Sequence, residues 1–554
     1  MKVQVSELLV KYMEQLGIDT IFGMPGAHIL PVYDSLYDSS IQSILAKHEQ
    51  GAAFMAGGYN RASGRIGACI TTAGPGATNL VTGIANAYAD KQPVLIITGE
   101  APTYIFGKGG LQESSGEGGS IDQSALFKGI TRYNKVVERT DYLENVLNQA
   151  SKILLSDSPG PVLLSFPYNV QKELVDDSIL DNIKTEKHLC ALNKDSQPVN
   201  TFVELTQQAK NPVIIAGYGC IKSGAQARLT ELSELLNIPV TSSLKGKGAI
   251  SEQSKLSLGS LGVTSYSHAY KYIEETADLV IFLGAAFNER TSYLWDKKLL
   301  AGKKIIQVDS DYGQLEKVFK TDIAIQGDIN EVLGAVLDNI NHYSAENVLK
   351  EYIPINGGDN PEAESNCAIF KSTFSLVENF FLKLEEHFSE NITVFDDNII
   401  FAQNFFNVSS NNRYYPNSGV SSLGHAIPAA IGAQFSDRKT TFAVLGDGGF
   451  QMCCMEIMTA VNYGIPLNIV MFNNSTMGLI RKNQFQQYEE RFINCDFINP
   501  DYEVLAKSFG INHQRIENED DLDSLFKSTD FSDAINLIEV MINKDAFPNY
   551  SSRR

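Results

Sequence analysis

Apolar runs of strand length recur along the chain, separated by stretches whose apolar residues fall at helical spacing. Through the first 170 residues the strand candidates are Thr20 to Phe22, Ser43 to Ala46, Ile66 to Thr71, Val94 to Thr98 and Val162 to Phe166. Helical patterns cover Gln50 to Ser63 and Ala77 to Ala89, so the alternation predicts βαβ units and a parallel sheet. A second block holds Pro212-Val-Ile-Ile-Ala-Gly, Asp278-Leu-Val-Ile-Phe-Leu-Gly and Lys304-Ile-Ile-Gln-Val-Asp. Such near-continuous apolar runs suit parallel strands buried on both faces. The third block carries a strand over Thr441 to Leu445, a helix over Phe450 to Tyr463 and a strand over Pro466 to Phe472. The blocks span residues 1–170, 199–343 and 367–545. The charged stretch 171–198 reads as a linker, as does 344–366 with its Asn356-Gly-Gly-Asp-Asn-Pro. The fold class is α/β, with blocks one and three alike enough to suggest a duplicated sheet.

Val5, Leu8, Leu9, Tyr12, Met13 and Leu16 give Met1 to Gly17 an amphipathic helical pattern, unlike a signal peptide. A chain of 554 residues, 43% apolar and 20% charged, has ample material for several cores. Its net charge of -20 lacks the basic face that nucleic acid or an anionic membrane surface selects. No apolar run reaches the ~20 residues of a membrane span. Seven cysteines without a Cys-x-x-Cys pair fit a reducing compartment and no zinc site, so a cytoplasmic location is expected.

Candidate chemistry concentrates in the third block. Gly446-Asp447-Gly448-Gly449 follows one strand and Asn473-Asn474 follows the next. The crossover between them sets Asp447 and Asn474 at neighbouring strand ends, where open α/β sheets bind ligands. A carboxylate and an amide oxygen are hard ligands, suited to Mg²⁺ in contact with phosphates. Glycines let backbone N–H groups approach a diphosphate closely. Both motifs are also ordinary turn chemistry; the strand–helix–strand frame favours the ligand-binding reading. In the first block, Glu49 opens a helix of small residues after a strand. A carboxylate there can equally serve the helix dipole. The turn Thr72 to Asn79 could cradle a ligand or merely reverse the chain.

Three motifs taken together are more specific. His48-Glu49-Gln50-Gly51-Ala52, Gly74-Pro75-Gly76-Ala77-Thr78-Asn79 with Gly83-Ile-Ala-Asn-Ala87, and the Gly446 to Asn474 unit resemble the thiamine-diphosphate enzymes. The acetolactate (acetohydroxyacid) synthase branch is the nearest in pattern, and Ser158-Pro-Gly-Pro-Val162 and Ile427-Pro-Ala-Ala-Ile-Gly-Ala433 extend the resemblance over nearly the whole chain. The resemblance implies three Rossmann-like, doubly wound domains: pyrimidine-binding, central and diphosphate-binding. It also implies a homodimer or homotetramer whose active sites are shared between chains. Asp447, the Asn474 side chain and the Thr476 carbonyl would hold Mg²⁺ on the diphosphate, beside Gly446, Gly448, Gly449 and Met477. Glu49 would hydrogen-bond the aminopyrimidine ring and promote loss of the thiazolium proton, which asks for a well-buried carboxyl. Leu423 would wedge the cofactor into its bent form, with Ser421, Gly76 and Asn398 lining it. Gln112 matches a glutamine near the reacting carbon, and Arg290 an arginine associated with the substrate carboxylate. An arginine fork suits a 2-oxo acid; a surface ion pair is the other reading of Arg290.

Four departures from the family pattern bear on specificity and cofactors. Asn483 replaces a tryptophan linked to acceptor choice, and His28 replaces a small residue near the substrate entrance. That imidazole could contact an anionic substrate or pack in a turn. The glycine- and serine-rich stretch Gly107 to Ser120 is longer than usual and reads as a lid or acceptor-binding element. Ser158 and Ala286 stand where the pattern has arginines, which speaks against bound FAD, although Gly217 and Gly219 leave room for a nucleotide. Asp396-Asp397 also replaces a Gln-His pair, and two acids beside a diphosphate would repel it unless they turn away. The expected activity is decarboxylation of a 2-oxo acid, pyruvate first, with transfer of the activated aldehyde to an acceptor; a second pyruvate would give acetolactate. A carboligase or lyase with another acceptor, or a catalytically silent regulatory homologue, are the alternatives. Retention of Glu49, Asp447 and Asn474 counts against silence. An NAD-dependent dehydrogenase would need a Gly-x-Gly-x-x-Gly after the first strand.

Overall fold

A computed structural model describes residues 1–186, 196–265, 268–341 and 372–548. Three six-stranded sheets, each wholly parallel, follow one another along the chain. Counted in chain order within each sheet, the first and third both run 2-1-3-4-6-5, and the central one runs 3-2-1-4-5-6. The shared order of the outer sheets bears out the duplication suggested by the sequence. The predicted strands of all three blocks form, and all but the edge strand Gln42–Leu45 are buried along most of their length, as their apolar runs require.

Four local expectations need correction. The amphipathic N-terminal helix covers only Val5–Gln15; Lys2–Gln4 is a short strand pairing antiparallel with Leu174–Asp176. Part of the charged stretch after residue 170 is therefore ordered against the N-terminus. The second expected linker, 344–366, lies outside the described residues. The predicted helix over Ala77 to Ala89 is two, Pro75–Asn79 and Val81–Ala89. The crossover helix predicted to begin at Phe450 begins at Asp447 and ends at Cys453, whose φ of -139° and ψ of 2° break it. A 3-10 turn and a second helix, Ile457–Tyr463, complete the crossover.

The first and third sheets share a core. One apolar cluster runs from Phe22, Ala53 and Met55 through Ala429, Ile431 and Leu445. At its centre the helix Glu49–Ser63 lies against Ala426–Gln434. A Cβ at Gly58 would stand 2.0 Å from the Ala429 carbonyl oxygen, and one at Gly432 would stand 2.0 Å from that of Met55. Each helix thus needs a glycine where the other's backbone touches it. The central unit joins the first through charged side chains: Lys245 pairs with Asp90, which also pairs with buried Arg61, and Lys91 pairs with Asp311 at 2.5 Å. It meets the third through Glu252, whose Oε2 accepts from Val408 N at 2.8 Å.

Candidate active site

The third sheet places Gly446 opposite Phe472 on adjacent parallel strands, so Asp447 and Asn474 emerge from neighbouring strand ends. Asp447 is 1% exposed. Its Oδ1 accepts from Gly448 N at 3.0 Å, and its Oδ2 accepts from Ser475 N at 2.7 Å and Asn499 Nδ2 at 2.8 Å. Burial nevertheless pushes this carboxyl above the ordinary carboxylate range, a cost that a bound cation would relieve. Asn499 also reaches Asn473 Oδ1 at 2.8 Å and Ser475 Oγ at 3.2 Å, holding both motif arms. It belongs to no motif, and only its position in the fold reveals it. Asn474 Oδ1 takes one long bond from Thr476 N at 3.3 Å. The turn after it is clamped by Cys495, whose carbonyl accepts from Thr476 Oγ1 at 2.9 Å and Met477 N at 2.7 Å.

The Asp447 carboxylate is held by N–H donors of Gly448, Ser475 and Asn499, with the Asn474 backbone N–H also acting on it. The Asp447 carboxylate, the Asn474 amide oxygen and the Thr476 carbonyl are the oxygens that could hold Mg²⁺, a set of the hardness that ion prefers. Among the described residues no three His, Cys, Asp or Glu side chains are grouped to hold a metal, and a set with one carboxylate is not such a group. The glycines divide in role. A Cβ would stand 2.6 Å from Met477 Sδ at Gly448 and 2.7 Å from Asp397 Oδ2 at Gly449, so these two serve internal packing. At Gly446 it would meet nothing nearer than 3.8 Å, which leaves room for a ligand. Gly76 is likewise a packing glycine, 2.3 Å from Thr71 Oγ1 by the same measure.

The acids at 396 and 397 turn inward, so neither confronts a diphosphate. Asp396 accepts from the Tyr414 hydroxyl and from Ile399 N at 2.6 Å. Asp397 takes Gly424 N at 2.6 Å, His425 N at 2.9 Å and Ala426 N at 3.3 Å, at the start of the helix Ala426–Gln434. Burial raises the two carboxyls to about 7 and about 6 respectively. Asn398, at a left-handed φ of 67°, turns its Oδ1 to Arg290 Nη1 at 3.0 Å. Arg290 and Ser421 line a cavity of about 540 Å³ where all three sheets meet, together with Lys91, Tyr218 and Asp309. That cavity contains neither Glu49 nor Asp447. Ala286 lines it without charge, and Ser158 instead accepts from Arg132 Nη2 at 3.2 Å. Gly217 and Gly219 pack tightly on Gly284, with Cβ positions 2.1 Å from its oxygen and 2.6 Å from its Cα. Neither of the two eroded positions offers the cavity a guanidinium for FAD.

Glu49 is the first residue of its helix, half-buried, and its Oε2 accepts from Asn79 Nδ2 at 2.9 Å. The strand–helix junction before it is fixed by Glu456 of the third unit, whose carboxylate accepts from Lys47 N at 3.1 Å and His48 N at 2.9 Å. Glu456 is a positioning group with no sequence signature. His28 and Gln112 meet, with Nδ1 3.3 Å from Oε1. The loop from Gly107 is tied by Glu113, which accepts from Gly107 N at 2.5 Å, Gly110 N at 2.9 Å and Ser115 Oγ at 2.8 Å. Leu423 is half-buried in the turn before His425, and Asn483 lies half-buried on the helix Gly478–Gln487 that follows the Asn474 turn.

Comparison with known proteins agrees with this three-domain fold. Residues 3–125, 199–336 and 398–540 match the N-terminal, central and C-terminal domain models of thiamine pyrophosphate enzymes. The chain is 33% identical to a probable acetolactate synthase large subunit of Methanococcus aeolicus, over 97% of this chain and 92% of that protein. It is 32% identical to the acetolactate synthase large subunit of Lactococcus lactis, with the same coverage. With the isozyme 2 large subunit of Escherichia coli it shares 30%, over 97% and 95%. The chain belongs to the thiamine pyrophosphate enzymes, as a thiamine-diphosphate-dependent carboligase related to acetolactate synthase.

Proposed function

We propose that this enzyme uses Mg²⁺-anchored thiamine diphosphate to decarboxylate a 2-oxo acid, pyruvate in the first instance, and joins the two-carbon unit to an acceptor carbonyl. The buried Asp447, braced by Ser475 and Asn499 beside the Asn474–Thr476 turn, carries the reading. Asp447, Asn474 and Thr476 would hold the ion on the diphosphate. Thiamine diphosphate supplies the carbanion stabilisation that breaking and making bonds at a carbonyl carbon requires. Glu49 would hold a proton at the pyrimidine ring, Leu423 would support the cofactor, and the Gln112 amide would donate to a substrate oxygen.

Glu49 in one chain is half-buried, whereas its role asks for a drier site. Apolar residues beside the Asn474 turn stand open: Ile480 is 49% exposed, Ile493 69% and Ile498 96%. A second copy covering them would bring its own first domain to this site, consistent with a homodimer or homotetramer with shared active sites. A flavin is not part of the proposal, since Ser158 and Ala286 carry no charge to the central cavity. Polar His28 and Asn483 favour a second reading, in which the acceptor is something other than pyruvate.

Incubation with pyruvate, thiamine diphosphate and Mg²⁺, with and without a panel of aldehyde and 2-oxo acid acceptors, tests both. Acetolactate, or a mixed product with one acceptor, is the expected result by mass analysis. Intact pyruvate in every arm would contradict the substrate assignment.

A further inference from the structure

We infer that His28 holds the Gln112 amide in the orientation that presents both its N–H donors to a substrate oxygen, making His28 a positioning residue for carboligation. The inference rests on the proposed role of Gln112 beside the reacting carbon. The chain of hydrogen bonds starts at a backbone N–H, which can only donate: His28 N lies 3.4 Å from Thr72 Oγ1. The Thr72 hydroxyl in turn donates to Gln112 Oε1 at 3.2 Å. The same Oε1 lies 3.3 Å from His28 Nδ1, so Nδ1 carries a proton and donates as well. The amide oxygen is then satisfied by the protein, and both amide protons remain for a ligand.

The backbone around the pair is over-determined. Gln112 has a left-handed φ of 54°, its carbonyl accepts from Ser114 Oγ at 3.0 Å, and Ser114 Oγ accepts from Gly74 N at 2.9 Å. Such conformations in non-glycine residues persist where neighbours enforce them, and they cluster at functional sites. His28 is 8% exposed, and its carbonyl accepts from Gln171 Nε2 at 2.6 Å. A Cβ at Gly99 would stand 2.3 Å from that carbonyl oxygen, so the strand beneath holds the imidazole's backbone in place. A small side chain at position 28 would leave Thr72 as the amide's one anchor in this trio.

Substitution separates this role from direct substrate contact. His28→Asn places an amide N–H near the position of Nδ1, and His28→Gln places one near Nε2. Positioning through Nδ1 predicts that His28→Ala loses about 2- to 10-fold in kcat with KM little changed, the loss of one hydrogen bond. It predicts that His28→Asn restores the rate and His28→Gln does not. Restoration by Gln alone would mean that His28 meets the substrate through Nε2, and would overturn the inference. If the wild-type enzyme turns over no 2-oxo acid, the functional proposal fails, and the tautomer still decides the inference. In ¹⁵N-histidine spectra at pH 8 the His28 signal, identified by its loss in His28→Asn, is expected as the Nδ1–H form. A bare Nδ1 with Nε2–H would overturn it.

Discussion

Glu49 and Asp447 are both acids at the first position of a helix, yet their surroundings differ. Asp447 is buried among three donors, while Glu49 is half-buried on Asn79. Glu49→Gln keeps that hydrogen bond and removes the proton-holding group, so the expected outcome is a carboligation rate lowered about 10²- to 10⁴-fold with thiamine diphosphate still bound. Steady-state assay with calorimetric cofactor titration checks it; a Gln variant at full rate would end the assignment. Asp396 and Asp397 make a different prediction, because burial raises them to about 7 and about 6. Above the unfolded value near 4 the folded protein binds more protons than the unfolded chain, so this contribution lowers stability as pH rises through about 7. Asp396→Asn keeps an acceptor for Ile399 N and Tyr414 without the charge. Its urea midpoint is expected to fall less than that of wild type between about pH 5.5 and 7.5. The acids and glycines of the motifs were legible in the chain, being few and regularly spaced. Asn499 and Glu456 were not, because folding alone brings a loop and a 3-10 turn to partners distant in the chain.

The helix Glu49–Ser63 shows how an element can be read from composition and still hide its reason. Its small residues were plain in the sequence, and the packing on Ala426–Gln434 explains why each of the two helices needs a glycine. Gly58→Ala would force a Cβ against the Ala429 carbonyl and is expected to cost about 1–3 kcal/mol, measured as a lowered urea midpoint with the denaturant slope unchanged. An unchanged midpoint would mean that the two helices are not in backbone contact. Buried parallel strands announce themselves by unbroken apolar runs, so most were found within a residue or two. Some missed ones carry that signal too, Ile392–Asp396 and Ile535–Met541 among them, and others lack it. Tyr133–Val136 is a half-buried edge strand, and Lys2–Gln4 has three residues whose partner lies at 174–176. A helix broken at Cys453 keeps its apolar spacing across the break, so periodicity alone cannot show the 3-10 turn.

Across the whole molecule, the two outer sheets of the same strand order share one core, and the central unit pairs its charges with the first beside a cavity that all three line. The sequence motifs supplied the two ends of the proposed cofactor site, one in each outer unit. In a single chain Glu49 bonds Asn79, while Asp447 is braced within its own unit. The proposed function therefore depends on Glu49 of one copy facing Asp447 of another. Co-expression of Glu49→Gln and Asp447→Ala chains with different tags, purified through both tags, isolates mixed oligomers. In a mixed dimer with shared sites one site carries both substitutions and the other carries neither, so about half of the wild-type carboligation from pyruvate is expected to return. Doubly tagged protein as inactive as either parent, beside active wild type, would contradict a site divided between chains.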